Sequence, residues 1–153
     1  MKIVVLVISA LIAAVSVSYG LGIASASSSS AGAITKVGTA SSKLGRILVD
    51  KHGRTLYLFE KDKSGKSACY GQCATYWPLL LTGGKPVAGA GVKPKLLGVT
   101  KRKNGTQQVT YAGHPLYRYS FDSKPGQANG EGVNLFGGGW DVVAPRGKKI
   151  DSH

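Results

Sequence analysis

The sequence predicts a mainly β fold, a single compact domain built from two related β-hairpin repeats, with a short helical segment near Cys69 to Tyr76 and long Gly-rich loops. Three observations predict it. The phrase Leu56-Tyr57-Leu58-Phe59-Glu60-Lys61-Asp62 returns as Leu116-Tyr117-Arg118-Tyr119-Ser120-Phe121-Asp122, so the pattern Leu-Tyr-x-aromatic-x-x-Asp is written twice. A β-prone run and a Gly-bearing turn precede each copy, with Gly53 and Gly113 each three residues before the Leu-Tyr pair. A Gly-rich stretch and then a Trp leading apolar residues follow each copy, Trp77 in the first and Trp140 in the second. A strand-turn-strand unit of this size cannot bury its apolar face alone, so the copies are read as two halves of one domain.

The chain opens with the charge of Met1-Lys2, continues with an apolar run from Ile3 to Ala14 broken only by Ser9, and reaches the small-residue site Ala24-Ser25-Ala26. That order describes a secretory signal peptide over 1–26. Its apolar run falls short of the roughly 20 residues that span a bilayer, so the mature chain is expected to be exported, periplasmic, extracellular or in the cell envelope, without a transmembrane segment. Residues 27–42 begin with Ser, Ala and Gly and stay polar, offering little to offset the entropy of ordering a backbone, and are assigned to a flexible tether. The folded unit is then 43–150, an ordinary size for one domain, expected to be monomeric.

Within that unit, Ile47-Leu48-Val49, the turn Lys51-His52-Gly53-Arg54 and the run from Thr55 to Phe59 read as a first β-hairpin. The stretch from Ser67 to Trp77 lacks strand alternation and reads as a short helix stopped by Pro78, and the Gly- and Pro-rich stretch from Gly83 to Pro94 reads as loop. Lys95 to Thr100 supplies a further strand. Gln107 to Tyr111, the tight turn Ala112-Gly113, and His114 to Tyr119 read as the second hairpin, Gly supplying the positive φ such a turn requires. From Lys124 to Gly139 the Gly-rich sequence reads as a long irregular loop that delivers Trp140-Asp141-Val142-Val143 as a closing strand.

These residues resemble a bacterial secreted family known as the secreted repeat of unknown function, or the lipoprotein family with the Tyr-x-aromatic-x-x-Asp motif. The resemblance rests on Leu56-Tyr57-Leu58-Phe59 with Asp62, the run Ser67-Ala68-Cys69-Tyr70-Gly71-Gln72-Cys73-Ala74 leading to Trp77-Pro78, Tyr111 to Tyr117, Gly126, Gly130 and Gly132, and Trp140 to Pro145. It implies no established biochemical activity. Many members look like lipoproteins, whereas no Cys lies near Ala26 here, so anchoring through lipid is not carried over.

Lys and Arg outnumber Asp and Glu 20 to 7, a net charge of +13. Such an excess favours anionic partners or simply keeps a secreted surface solvated. The clusters Lys101-Arg102-Lys103 and Arg146 with Lys148-Lys149 sit in turn-like or terminal sequence, which suits a solvated surface. A nucleic-acid role would need an aromatic platform or a groove-reading helix as well, and export argues against it.

Cys69 and Cys73 are the only cysteines, and in an exported chain a disulfide is the default. Their spacing closes only if the backbone bends, for which Gly71 supplies the freedom. The alternative is a copper(I) or thiol-redox site in which both thiolates join His52 or His114. Tyr57, Phe59, Tyr117 and Tyr119 fall at strand period, which places each pair on one face. They form either an aromatic core or, with Trp77 and Trp140, a face for a flat or sugar-like ligand made of Tyr57, Tyr117, Trp77 and Trp140.

Asp62 and Asp122 end the two motifs before Gly-containing turns, where a carboxylate accepts from backbone N–H groups about two residues on. As a catalytic pair they would have to face each other across a cleft about 5 to 9.5 Å wide. Gly65-Lys66-Ser67 imitates the end of a phosphate-binding loop, but Glu60 stands where that motif needs Gly. Functionally, the sequence points to a non-enzymatic binding or structural module of the envelope, with no cofactor and with an anionic envelope polymer or a small ligand as partner. Two alternatives stand beside it: the copper or thiol-redox protein, and a basic protein attaching to anionic cell-wall polymers.

Overall fold

The computed structural model describes residues 32–150. The expected signal peptide and residues 27–31 of the expected tether lie outside them. The strands are β1 (Lys36–Ser42), β2 (Gly45–Asp50), β3 (Tyr57–Phe59), β4 (Val87–Ala88), β5 (Leu97–Lys101), β6 (Gln107–Tyr111), β7 (His114–Pro115), β8 (Val133–Leu135) and β9 (Gly138–Val142), with one short helix, α1 (Gln72–Tyr76), between β3 and β4. They form three small sheets of order β2-β1-β4, β3-β9-β8 and β5-β6-β7. The mainly β expectation, the short helix and the two repeats are all present. No helix among the described residues is long and apolar enough to cross a membrane.

Three expectations need correction. Residues 36–42, assigned to the tether, are β1, which pairs antiparallel with β2 from Val37↔Asp50 to Ser42↔Gly45. Its composition hides it, because Val37 is its one buried residue and the ladder to β2 supplies what side chains do not. The stretch read as loop before Pro94 contains β4, two residues that pair parallel with β1. The Gly-rich stretch before Trp140 contains β8, which forms a hairpin with β9 through Phe136 and Gly137, both at positive φ.

The two expected hairpins begin as read and then splay. In the first, Gly53 takes φ +77° and Asp50 Oδ1 accepts from the N–H groups of His52 and Arg54, so the turn closes onto a Val49↔Thr55 bridge. In the second, Ala112 and Gly113 take φ +48° and +81°, the two positive values of a tight turn joining paired strands.

Beyond each turn a strand end from the other copy inserts. Leu56 N–H donates to Leu48 O, Leu48 N–H to Val143 O and Val143 N–H to Leu56 O, a closed triangle. Leu116, Val109 and Leu80 repeat the triangle in the same order. The segment after each Trp thus completes the hairpin of the opposite repeat, and neither copy is a finished unit alone.

The paired motif strands divide the interior. Leu48, Leu56, Leu58, Leu80, Val109, Leu116 and Val143 belong to an aliphatic core on one side. Tyr57, Phe59, Trp77, Tyr117, Trp140 and Val142 belong to an aromatic core on the other, with Cys69 and Cys73. Alternation along Leu56-Tyr57-Leu58-Phe59 sends successive side chains to opposite cores, as strand geometry requires.

Candidate functional site

The duplicated motif meets itself at the centre. Tyr57 N–H donates to Tyr117 O at 2.9 Å and Tyr117 N–H returns the bond to Tyr57 O at 3.0 Å. Around this bridge the rings follow the same local symmetry. Trp77 and Trp140 stack with centroids 3.9 Å apart; Phe59 stacks on Trp140 at 4.0 Å and Tyr119 on Trp77 at 4.2 Å. Tyr57 meets Trp77 edge-on, and Tyr117 meets Trp140 likewise. Tyr57, Tyr117, Trp77 and Trp140 are fully buried, so of the two readings of these residues they form the aromatic core.

The hydroxyls cross between copies. Tyr57 donates to Asp122 Oδ2 at 2.5 Å, and Tyr117 donates to Asp62 Oδ2 at 2.7 Å and also reaches Ser67 Oγ. The second oxygen of each carboxylate accepts a backbone N–H, from Asn129 for Asp122 and from Ala68 for Asp62. The N–H groups therefore come from six or seven residues on, across the following loop, rather than from an adjacent turn. Burial first, then the bonded carboxylate, pushes the ionisation of Tyr57 far up, and burial and the charge of Asp62 do the same to Tyr117. The protons stay on the tyrosines, so each aspartate is an acceptor.

Burial also raises the pKa of Asp62, opposed by the Ala68 N–H, the Tyr117 hydroxyl and the charge of Arg102.

Cys69 and Cys73 form a disulfide, with Cα atoms 5.3 Å apart and Gly71 at φ +58° between them. His52 is exposed in the β2–β3 turn, while His114 begins β7, half-buried, and burial lowers its pKa. The four residues of the copper alternative are not assembled: among the described residues no group of three or more His, Cys, Asp or Glu side chains is placed to hold a metal ion. His114 instead lines a depression of about 570 Å³ with Glu60, Asp62, Lys63 and Lys149.

Two surface groupings were not singled out as sites from the sequence. Phe121 stands 59 % exposed beside Tyr76, which also meets Phe136 in the β8–β9 turn. The second is basic. Lys66, Ser67, Tyr70, Lys101, Arg102 and Lys103 line a pocket of about 410 Å³. Read as part of a solvated Lys-Arg-Lys turn, Arg102 in fact folds inward and is only 6 % exposed. Its Nη1 donates to Ser67 Oγ and Gln108 Oε1, its Nη2 to Cys69 O, and its guanidinium lies 4.1 Å from the Tyr70 ring centre. The signal available in sequence was only the Gly-bearing turn that follows it, which says nothing about where the side chain goes.

Comparison with known families agrees with this twofold construction. The family model described as "Secreted repeat of unknown function" matches residues 38–80 and again 98–144. The chain belongs to that family. Both matched spans begin within the first strand of a repeat, β1 and β5, so the secreted repeat includes the strand that the sequence reading placed in the tether. The first span ends at Leu80 and the second just past Val143, the two residues that close the hydrogen-bonded triangles. One copy of the secreted repeat is therefore a segment whose end is paired in its sibling. No curated protein and no solved structure matches the chain.

Proposed function

We propose that this secreted repeat protein is a non-enzymatic module of the cell envelope that attaches electrostatically to anionic wall polymers. One observation carries the reading: the fold engages every carboxylate among the described residues and leaves most of its cations to the surface. Asp50 accepts from the His52 and Arg54 N–H groups and lies 3.5 and 3.6 Å from the side chains of Arg54 and Arg118. Asp62 and Asp122 hold the crossed tyrosines, Glu131 accepts from Val142 N–H, and Glu60 and Asp141 both neighbour Lys149. Of the described lysines, Lys149 alone enters an ion pair. The field outside is therefore positive with few anions to interrupt it, which attracts polyanions and depends on ionic strength.

The same bonds argue against hydrolytic chemistry. Asp62 and Asp122, the pair that would serve as acid and base, each accept one hydrogen bond from a tyrosine hydroxyl and one from a backbone N–H.

The test is co-sedimentation of the mature protein with isolated phosphate-bearing cell-wall polymer over a range of sodium chloride concentrations. Binding that is tight at low salt and falls steeply as salt rises supports attachment. Absence of binding at low salt, or binding indifferent to salt, overturns it.

A further inference from the structure

Resting on that reading, the geometry points to the Lys66–Tyr70–Lys101–Lys103 pocket as the place where the polymer's phosphodiester groups bind. We infer that Lys66, Lys101 and Lys103 contact the phosphate oxygens, that the Tyr70 ring receives the intervening polyol, and that Arg102 beneath them supplies fixed positive charge.

The argument begins with Arg102. A buried guanidinium is costly unless it is paired with an opposite charge. Here its hydrogen-bond partners are a hydroxyl, an amide oxygen and a backbone carbonyl, all neutral. No carboxylate oxygen lies within ion-pair distance of it among the described residues, and its Nε has no partner. Asp62 is the acid that senses its charge, and both oxygens of Asp62 are already bonded elsewhere.

The rim adds three exposed lysines, and no acidic residue lines the pocket. Four like charges around one depression repel one another, so an anion entering it removes that repulsion as well as gaining its own attraction. The β5–β6 turn fixes the arrangement. Arg102 N–H bonds Thr106 O, Gly105 N–H bonds Arg102 O, and Asn104 Oδ1 caps Thr106, so Lys101 and Lys103 flank the buried residue at fixed positions. From the other side, the disulfide loop presents the exposed Tyr70, one face of whose ring rests on Arg102 and which Lys103 Nζ approaches at 5.5 Å.

The size selects the ligand class. A pocket of about 410 Å³ exceeds one isolated phosphate and suits a phosphodiester with part of the chain that carries it. Lysine ammonium groups act on phosphate as point charges and tolerate the varied torsions of a flexible polymer.

The experiment measures fluorescence anisotropy of a labelled glycerol-phosphate oligomer titrated with the folded mature protein, with circular dichroism to verify that each variant is folded. The triple variant K66A/K101A/K103A is compared with K85A/K93A/K95A, which removes the same charge elsewhere. The expected result is a loss of affinity of about tenfold or more for the pocket variant and under about threefold for the control, with a shallower salt dependence in the former because fewer counterions are released. Tyr70→Ala should weaken binding while leaving the salt slope unchanged.

Equal losses in the two triple variants overturn the pocket and leave diffuse attachment standing. No binding by the wild-type protein overturns both. Tighter binding to phosphatidylglycerol vesicles than to the oligomer overturns the assignment to a polymer, since the same phosphate chemistry would then be read from a lipid headgroup.

Discussion

Tyr57 and Tyr117 occupy the same place in the two repeats and are hydrogen-bonded to each other through both backbone N–H groups, while each hydroxyl reaches the aspartate that ends the other's motif. The motif therefore specifies a mutual contact: a tyrosine without its sibling repeat would bury a hydroxyl with no acceptor. Removing that hydroxyl leaves a carboxylate short of one donor. A hydrogen bond to a charged group contributes about 1.5 to 3 kcal/mol. Tyr57→Phe should cost about 2 kcal/mol in urea unfolding, because Asp122 is only 3 % exposed, and Tyr117→Phe should cost less, because Asp62 reaches solvent. In a double-mutant cycle, Y57F and D122N should couple by about 1 kcal/mol or more. Simple additivity would show that the crossed bond stabilises nothing.

Gly130 is the glycine on which the aromatic stack leans. A Cβ built there falls 2.7 Å from Trp77 Cη2 and 3.0 Å from Tyr57 Cε1. Its φ is not in the positive range, so the obstacle is space rather than backbone strain. Gly130→Ala should destabilise by about 1 to 3 kcal/mol, as overpacking of a dense core does. Gly38→Ala, whose Cβ would sit 3.7 Å from Val49 Cγ2 in ordinary contact, should be close to neutral. Thermal melting of the two variants checks both, and a neutral Gly130→Ala would mean that the stack yields more readily than its geometry implies.

What was legible in the sequence was what repeats or alternates. Gly53 and Gly113, at equivalent places in the motif, both take positive φ, and Tyr57 and Phe59 share a core while Leu56 and Leu58 share the other. Partnership between the copies was not legible. Nothing in the spacing of Leu80 or Val143 says that each closes a triangle in the opposite hairpin, because such pairing is settled by tertiary packing. β1 leaves no signal since six of its seven residues are not buried, and β8 leaves none since the Gly-rich sequence around it carries no alternation. The inward fold of Arg102 is illegible for a related reason: a basic tripeptide in a turn reads as surface, and only the acceptors Ser67, Gln108 and Cys69 O draw its side chain inward.

The Cys69–Cys73 bridge closes a small ring, so its effect on the unfolded chain is limited. The chain-entropy relation gives about 2 kcal/mol for a loop of this length, against about 3 for fifteen residues. The variant C69A/C73A should therefore remain folded with a modestly lower melting temperature, and reductant should lower the wild-type melting temperature while leaving that variant unaffected. A variant that fails to fold would show that the loop holding Tyr70 and Cys69 O against Arg102 matters more than its entropy suggests.

Acid should weaken the fold through His114. Burial lowers its pKa below 6.5, so the folded protein holds fewer protons on it than the unfolded chain in the window beneath that value. Stability tied to His114 is present above pH 6.5 and is lost as pH falls toward the folded pKa. Asp62 has the opposite sign: its raised pKa makes the folded state the better proton acceptor above 3.8, so its contribution grows as pH falls through that lower window. Glu60, held low mainly by its hydrogen bond to Lys149, loses its contribution only below 4.5. The first loss on acidification thus belongs to His114. Urea midpoints measured at about pH 7.5 and about pH 5.5 should fall for the wild type and change less for His114→Gln. Parallel declines in the two proteins would assign the acid sensitivity to another group.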